Sequence, residues 1–327
     1  MPGEFAEHRG CLMAWPTTTR REFWADQFDP AKDDYAAVAR AIADFEPLTM
    51  ICEPGATTDV RDRCGSVVEI LELPIDDSWI RDSGPIFVVD DRGDLAIVDF
   101  RFNSWGEKYA PWDRDAEVTA RLAAHYGVPR YAPDFVLEGG SFFVDGEGTV
   151  ITTEQCLLHP SRNPTLTRDD IEWYLLEFLG AETVIWLEAF EDRDTDGHVD
   201  GIAQIVRPGT IVLVTPTDPS NHNFEQTRRN LERLAAARDA RGRTPEVLGL
   251  EPTTRVRVGD LDVEIPYANF YLPNGGVVFP TGGVPNDDEV LDRLSEIFPD
   301  RTVVPVPGGV LEFGGGGPHC ITQQIPA

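Results

Sequence analysis

One cysteine, one histidine and three carboxylates of this chain stand at loop–strand junctions, most of them beside glycine. Cys320 follows four consecutive glycines, Pro318 and His319 in FGGGGPHCITQQ. His198 and Asp200 are two apart in TDGHVDG, Asp82 lies in WIRDSGP, and Glu138 precedes two glycines in LEGGS. Glycine costs conformational entropy and is kept where backbone turns sharply or passes close to a ligand. The run before Cys320 therefore admits a nucleophile at the lip of a site. In extended chain, His198 and Asp200 would face the same side. A Cys–His pair suits nucleophilic catalysis, but neighbouring negative charge disfavours the thiolate. So many carboxylates make sense if the substrate is a cation. A planar guanidinium pairs with carboxylates bidentately. Two or three carboxylates holding it, with a thiolate facing its central carbon, would form a coherent active site. Each residue also has a plainer reading. A cysteine is commonly a small buried hydrophobe, Asp82 and Glu138 fit ordinary turn carboxylates, and TDGHVDG fits a solvated acidic loop.

The elements that must position these residues alternate. Helical periodicity covers Asp33–Phe45, Ala116–His125, Arg168–Leu179, Asn223–Arg238 and Asp287–Ile297. Short β-rich runs fall between, among them Ile86–Val89, Leu95–Phe100, Ser141–Val144, Val150–Thr152, Ile202–Val206, Ile211–Val214, Val277–Phe279 and Val303–Val306. Polar or Gly-rich loops run into strands at Asp82, Glu138, His198, Asn269 and Cys320, at spacings of 56, 60, 71 and 51 residues. These spacings suit five βαβ-like modules closed into a ring that points its loops at one axis. They equally suit an open α/β sheet with loops at strand ends.

Composition narrows the partners. The chain has 327 residues, with 57 acidic against 28 basic and a net charge of −29. Such a surface disfavours nucleic acid and anionic membranes and favours small cations. The charged N-terminal stretch MPGEFAEHRG lacks the apolar core of a secretory signal. No apolar run approaches the roughly 18 residues that span a bilayer, so a cytoplasmic location is expected. Cys11, Cys52, Cys64, Cys156 and Cys320 are odd in number and widely spread, which suggests neither a disulfide framework nor a zinc cluster.

The chain resembles the agmatine deiminases of the guanidine-modifying superfamily. The resemblance is carried by MPGEFAEHRGCLMAWP, WIRDSGP, VDFRFNSWG, LEGGSFFVDGEGT, TTEQCLLHPSRNP, DTDGHVDG, YANFYLPNGG and GGGGPHCITQQIP, which span the whole chain in the family's order. It implies an α/β fold of five β/α modules in a pseudo-fivefold propeller, as a single catalytic domain over residues 1–327. It also implies Cys320 as nucleophile, His198 as general acid and base, Asp82 and Asp200 as guanidinium carboxylates with Glu138 beside them, Trp79 as a pocket wall, and Asp194 as receiver of the distal ammonium. His319 is expected to be structural. No cofactor or metal is implied, and homo-oligomers are frequent in the family. The implied reaction converts agmatine to N-carbamoylputrescine and ammonia, feeding putrescine synthesis. Alternatives are deimination or amidinotransfer on another guanidine such as arginine, or guanidine or polyamine binding without turnover. Gly317-Pro318 stands where the family has an Asn-containing pair, PTGGVP replaces a segment that usually includes Gln-Phe-Gly, and the stretch after Trp105 is short. These departures bear on the substrate's tail.

Overall fold

A computed structural model describes residues 1–190, 192–251 and 255–327. The fold is mixed α/β. Among the described residues, one sheet pattern recurs five times: an antiparallel pair of strands, then a helix that returns the chain to a parallel third strand. Ile86–Val89, Leu95–Val98 and Arg130–Tyr131 form one such sheet. Phe142–Val144, Thr149–Thr153 and Thr183–Leu187 form the next, and Ala203–Arg207, Thr210–Val214 and Glu246–Leu250 another. In the fourth, the first strand is reduced to an antiparallel bridge from Tyr271 to Val278, and Gly276–Thr281 pairs in parallel with Thr302–Pro307. The fifth joins the chain ends: Thr322–Pro326 lies antiparallel to His8–Ala14, which continues in parallel to Leu48–Cys52 and Glu69–Glu72. A separate hairpin pairs Arg255–Val258 with Leu261–Glu264.

The helices follow local chemistry. Arg168–Leu179 occupies the expected span because Thr167 and Asp170 form a reciprocal capping box and Gly180 closes the other end in the left-handed region. The first long helix begins earlier than its periodicity suggests, at Phe28 rather than Asp33. Pro30 lies in its first turn, where a missing N–H breaks no intrahelical bond. That helix buries Phe28, Tyr35, Val38 and Ile42, each worth about 1.5–3 kcal/mol. The sequence pattern passed over His8–Ala14 and Leu48–Cys52 because both are buried almost throughout; strands covered on both faces lose the alternation that marks a half-exposed one.

In each of the five sheets the first strand, or the bridge that replaces it, is entered from a short turn carrying a candidate residue. Asp82 lies in the one-turn helix Ile80–Ser83, Glu138 caps the 3-10 turn Gly139–Ser141, and His198 caps the 3-10 turn Val199–Gly201. Asn269 precedes Tyr271, and Cys320 precedes Thr322–Pro326. His198 and Asp200 are thus not neighbours on an extended strand, as their spacing suggested. His198 is extended (φ −55°, ψ 145°), and Asp200 sits inside the tight turn that follows.

Candidate active site

The turns bring Asp82, Glu138, His198, Asp200 and Cys320 into one buried cluster, with exposures of 7% or less. That degree of burial removes the solvated-loop reading of TDGHVDG at His198 and Asp200. Cys11, Cys52, Cys64 and Cys156 are unpaired and buried, as the plainer reading of a cysteine expects. Cys320 is buried too, but it borders two cavities that also share Asp194. One is a narrow slot walled by Trp79, Asp82, Trp105 and Tyr109. The other, of about 620 Å³, is lined by His198, Asp200, Asn269, Glu264 and Glu312.

Glycine shapes the floor of the site. A Cβ on Gly140 would lie 2.6 Å from His198 Nδ1 and 2.9 Å from both Asp200 Oδ2 and Asp82 Oδ1. Three candidate side chains therefore converge on a position that carries no side chain. A Cβ on Gly316 would lie 2.8 Å from the Trp79 ring and 2.9 Å from Cys320 Sγ. The run before Cys320 strips away side chains because the chain there threads between the nucleophile candidate and the aromatic wall. Trp79 is itself held by stacking on Trp24, with ring centroids 6.1 Å apart.

Hydrogen bonds aim the carboxylates. Asp82 accepts from Trp105 Nε1 through Oδ2 and from the Gly140 amide through Oδ1, both at 2.9 Å. Asp200 Oδ2 accepts from His319 Nδ1 at 2.9 Å and from the Cys320 thiol at 3.3 Å. Asn269 Nδ2 donates to Cys320 Sγ at 3.1 Å, and its Oδ1 accepts from the Cys320 amide at 3.3 Å. His198 Nδ1 stands 3.6 Å from Asp82 Oδ1 and 4.0 Å from Asp200 Oδ1, and its Nε2 stands 4.0 Å from Glu138 Oε2. Glu138 also takes Arg162 Nε at 2.6 Å. Asp194 lies outside this cluster on the wall common to both cavities, with Oδ1 accepting from Tyr109 OH at 2.6 Å.

The electrostatics divide the two guanidinium candidates. Burial pushes Asp82 up, as do the charges of Asp200 and Glu138, and His198 offsets them only in part. Burial pushes Asp200 the same way, but the hydrogen bond and charge of His319, then the charge of His198, overcome it and leave Asp200 below the usual carboxylate range. The Cys320 thiol is driven well above its ordinary value by burial and by Asp200 and Asp82. The thiolate is thus disfavoured at this position, and a cation bound among the carboxylates would favour ionisation.

Behind Asp200 lies a second layer centred on His319, whose partners Glu4 and Arg81 the sequence did not single out. His319 Nε2 is 3.0 Å from Glu4 Oε2, and Arg81 donates to the same Glu4 oxygen at 2.9 Å. Burial would raise Glu4, yet the charges of His319 and Arg81 bring it down to about 2. Burial and Arg81 would lower His319, but Glu4 and Asp200 prevail and raise it. His319→Gln should therefore cost stability in a pH-dependent way. A raised histidine contributes fully below its unfolded value of about 6.5 and loses its contribution as pH rises through the folded value; the depressed carboxylates contribute fully above about 4. The deficit in unfolding free energy against wild type should be largest between about pH 4.5 and 6.5, at about 3 kcal/mol, and shrink on the alkaline side. A deficit that stays constant to alkaline pH would show that His319 is not charged in the fold.

The family described as Porphyromonas-type peptidyl-arginine deiminase matches residues 1–326. The chain belongs to this family. An agmatine deiminase of Stutzerimonas stutzeri (strain A1501) is 41% identical over an alignment covering all of this chain and 95% of that protein. Among solved structures, the agmatine deiminase of Enterococcus faecalis superimposes with a TM-score of 0.93 at 35% identity, covering all of this chain and 95% of the other. A C. jejuni agmatine deiminase with substrate bound gives 0.89 at 25% identity, covering all of this chain and 96% of the other. A dimethylarginine dimethylaminohydrolase shares the fold at 12% identity, with a TM-score of 0.57 over 97% of this chain and all of the other. In this deiminase chain, the resemblance-derived residues other than Asp194 and Trp79 form one cluster, and those two wall its entrances. No described helix is long and apolar enough to cross a membrane.

Proposed function

We propose that the chain hydrolyses the guanidinium group of agmatine to N-carbamoylputrescine and ammonia, as one catalytic domain whose five sheets are the blades of a pseudo-fivefold propeller. The convergence of His198, Asp82 and Asp200 on Gly140, beside Cys320, carries this reading. The guanidinium lies over Gly140 between Asp82 and Asp200, which fix its plane. The bound charge helps the Cys320 thiol to pass its proton to His198, and the sulfur attacks the guanidinium carbon. His198 gives a proton to the departing nitrogen, the C–N bond breaks, ammonia leaves and a thiouronium remains on Cys320. His198 then takes a proton from water, whose oxygen adds to the same carbon. The C–S bond breaks and the ureido product departs. This role would place the enzyme in a route to putrescine.

The tail follows from charge. Asp194 Oδ2 is turned toward Gly315 at the cavity wall. Burial, and then the charges of Asp192, Glu264 and Asp194, drive Glu312 well above the usual carboxylate range. An ammonium suits these carboxylates, whereas the α-carboxylate of arginine would be repelled by them and would have to draw on Arg193 or Arg255 of the same cavity wall, or be buried unpaired at a cost of several kcal/mol. At about 1.4 kcal/mol per tenfold, kcat/KM for agmatine should exceed that for arginine by at least about a hundredfold. Ammonia release from the two compounds in parallel tests this. Equal values would remove the preference for agmatine while keeping a guanidine hydrolase; no release from any guanidine would leave a binding protein.

A further inference from the structure

Arg162 has no part in the reaction above, yet its side chain is fully buried at the edge of the site. Its Nε donates to Glu138 Oε1 at 2.6 Å. Its Nη1 donates to Asp196 Oδ2 at 2.5 Å and Ser161 Oγ at 2.9 Å, and its Nη2 donates to the Thr195 carbonyl at 2.8 Å. A guanidinium offers five N–H donors in a rigid fork, and four of them are committed here.

On one side the fork fastens the segment that leads into His198. Asp196 is held at φ 63°, a conformation that costs a non-glycine residue energy unless its surroundings enforce it. Its other oxygen takes Lys108 Nζ at 2.9 Å, and Lys108 also donates to the carbonyls of Arg193 and Asp194. Thr195 Oγ1 accepts from the His198 amide at 3.0 Å. On the other side the fork occupies one oxygen of Glu138. The second, Oε2, is buried without a hydrogen-bond partner among the described residues and faces His198 Nε2 at 4.0 Å.

We infer that Arg162 is a positioning residue for His198, holding Glu138 with one free oxygen toward the imidazole and fixing the 195–196 backbone that precedes it. The inference rests on guanidine hydrolysis by this site and adds to it the device that sets the acid–base imidazole. An imidazole that must donate a proton and then accept one needs a fixed negative charge beside it in the charged state. Glu138 provides that charge, and Arg162 keeps Glu138 paired and aimed. A lysine could supply the charge but not the fork. Besides Arg162, Glu138 is faced by His198, Cys156 and Asp82. Asp196 is faced by Arg162, Lys108 and His159, the last at 3.8 Å.

Steady-state ammonia release from agmatine across pH, with wild type, Arg162→Met, Arg162→Lys and Asp196→Asn, tests this, and wild-type turnover separates its failure from failure of the proposed reaction. Arg162→Met should lose about a hundredfold or more in kcat, the scale of lost acid–base catalysis, and its acid limb should move to higher pH as the site loses a buried cation. Arg162→Lys should return the limb to its wild-type position and recover only part of kcat. Asp196→Asn keeps the Glu138 pair and should mainly raise KM, by about tenfold. Wild-type kcat and acid limb in Arg162→Met would overturn the inference, as would a loss of kcat with an unmoved limb. If Arg162→Met does not fold, the other two variants decide, because equal losses of kcat and KM in both would mark Arg162 as a plain structural tie.

Discussion

Cys320→Ser is expected to reduce ammonia release from a guanidine substrate by more than about 10³-fold, the scale seen when a covalent nucleophile is removed, while substrate binding is largely retained. The contacts around Cys320 explain both halves. Its sulfur accepts from Asn269 Nδ2 and donates to Asp200 Oδ2, and a serine hydroxyl can make the same bonds without disturbing the turn before Thr322–Pro326. What serine lacks is an accessible anion. The environment already raises the thiol through burial and two carboxylates, and an alcohol starts several pH units higher, beyond what a bound cation can recover. Mass spectrometry of quenched wild-type enzyme should show Cys320 carrying the amidino group of the substrate, an adduct absent from the variant. Near-wild-type turnover by Cys320→Ser would rule out a covalent route through this sulfur.

How much of this was legible in the sequence varies with the physics. The turns at Asp82, Glu138, His198 and Cys320 were legible because each sets a charged or nucleophilic residue near glycine at the start of a strand, and with the looser one at Asn269 they recur at intervals of 51–71 residues. Helices with capping signals, such as Arg168–Leu179, were legible to the residue, whereas strands buried on both faces were not. Within the site, Cys320, His198, Asp82, Asp200 and Glu138 stand out by residue type. Arg162, Asn269, Trp105 and Glu4 do not, because their importance lies in what they touch across 23 to 315 residues of chain. An arginine in HPSRNP looks like any surface arginine until Glu138 is found 2.6 Å away. Gly140 was quoted only as part of LEGGS, and its role follows from three side chains converging where its Cβ would be.

Asp200→Asn is expected to impair turnover more than Asp82→Asn, although both face the same guanidinium position. Truncating one partner of a desolvated charge pair costs about 2–5 kcal/mol, or roughly 30-fold to several thousandfold in kcat/KM at 1.4 kcal/mol per tenfold. Asp200 should sit at the upper end because it serves three neighbours: its Oδ2 accepts from His319 and from Cys320, and its charge stands near His198. An amide there leaves His319 with a single carboxylate partner, Glu4, and weakens the case for a charged imidazole. Asp82 also stands near His198, 3.6 Å from its Nδ1, but its hydrogen bonds come from two neutral donors, Trp105 Nε1 and the Gly140 amide, so an amide at 82 turns its NH₂ on one of them without unpairing His319. The pH profiles should also separate the pair. Asp82 is raised, so wild-type kcat/KM should fall as pH drops through a value above the usual carboxylate range, where Asp82 takes up a proton and ceases to attract the cation. In Asp82→Asn that limb should disappear and any remaining one lie lower. In Asp200→Asn, Asp82 loses a like-charged neighbour and its limb should shift downward while persisting. An unchanged acid limb in both variants, or a double variant that binds substrate with wild-type affinity, would show that the guanidinium is not held between these carboxylates.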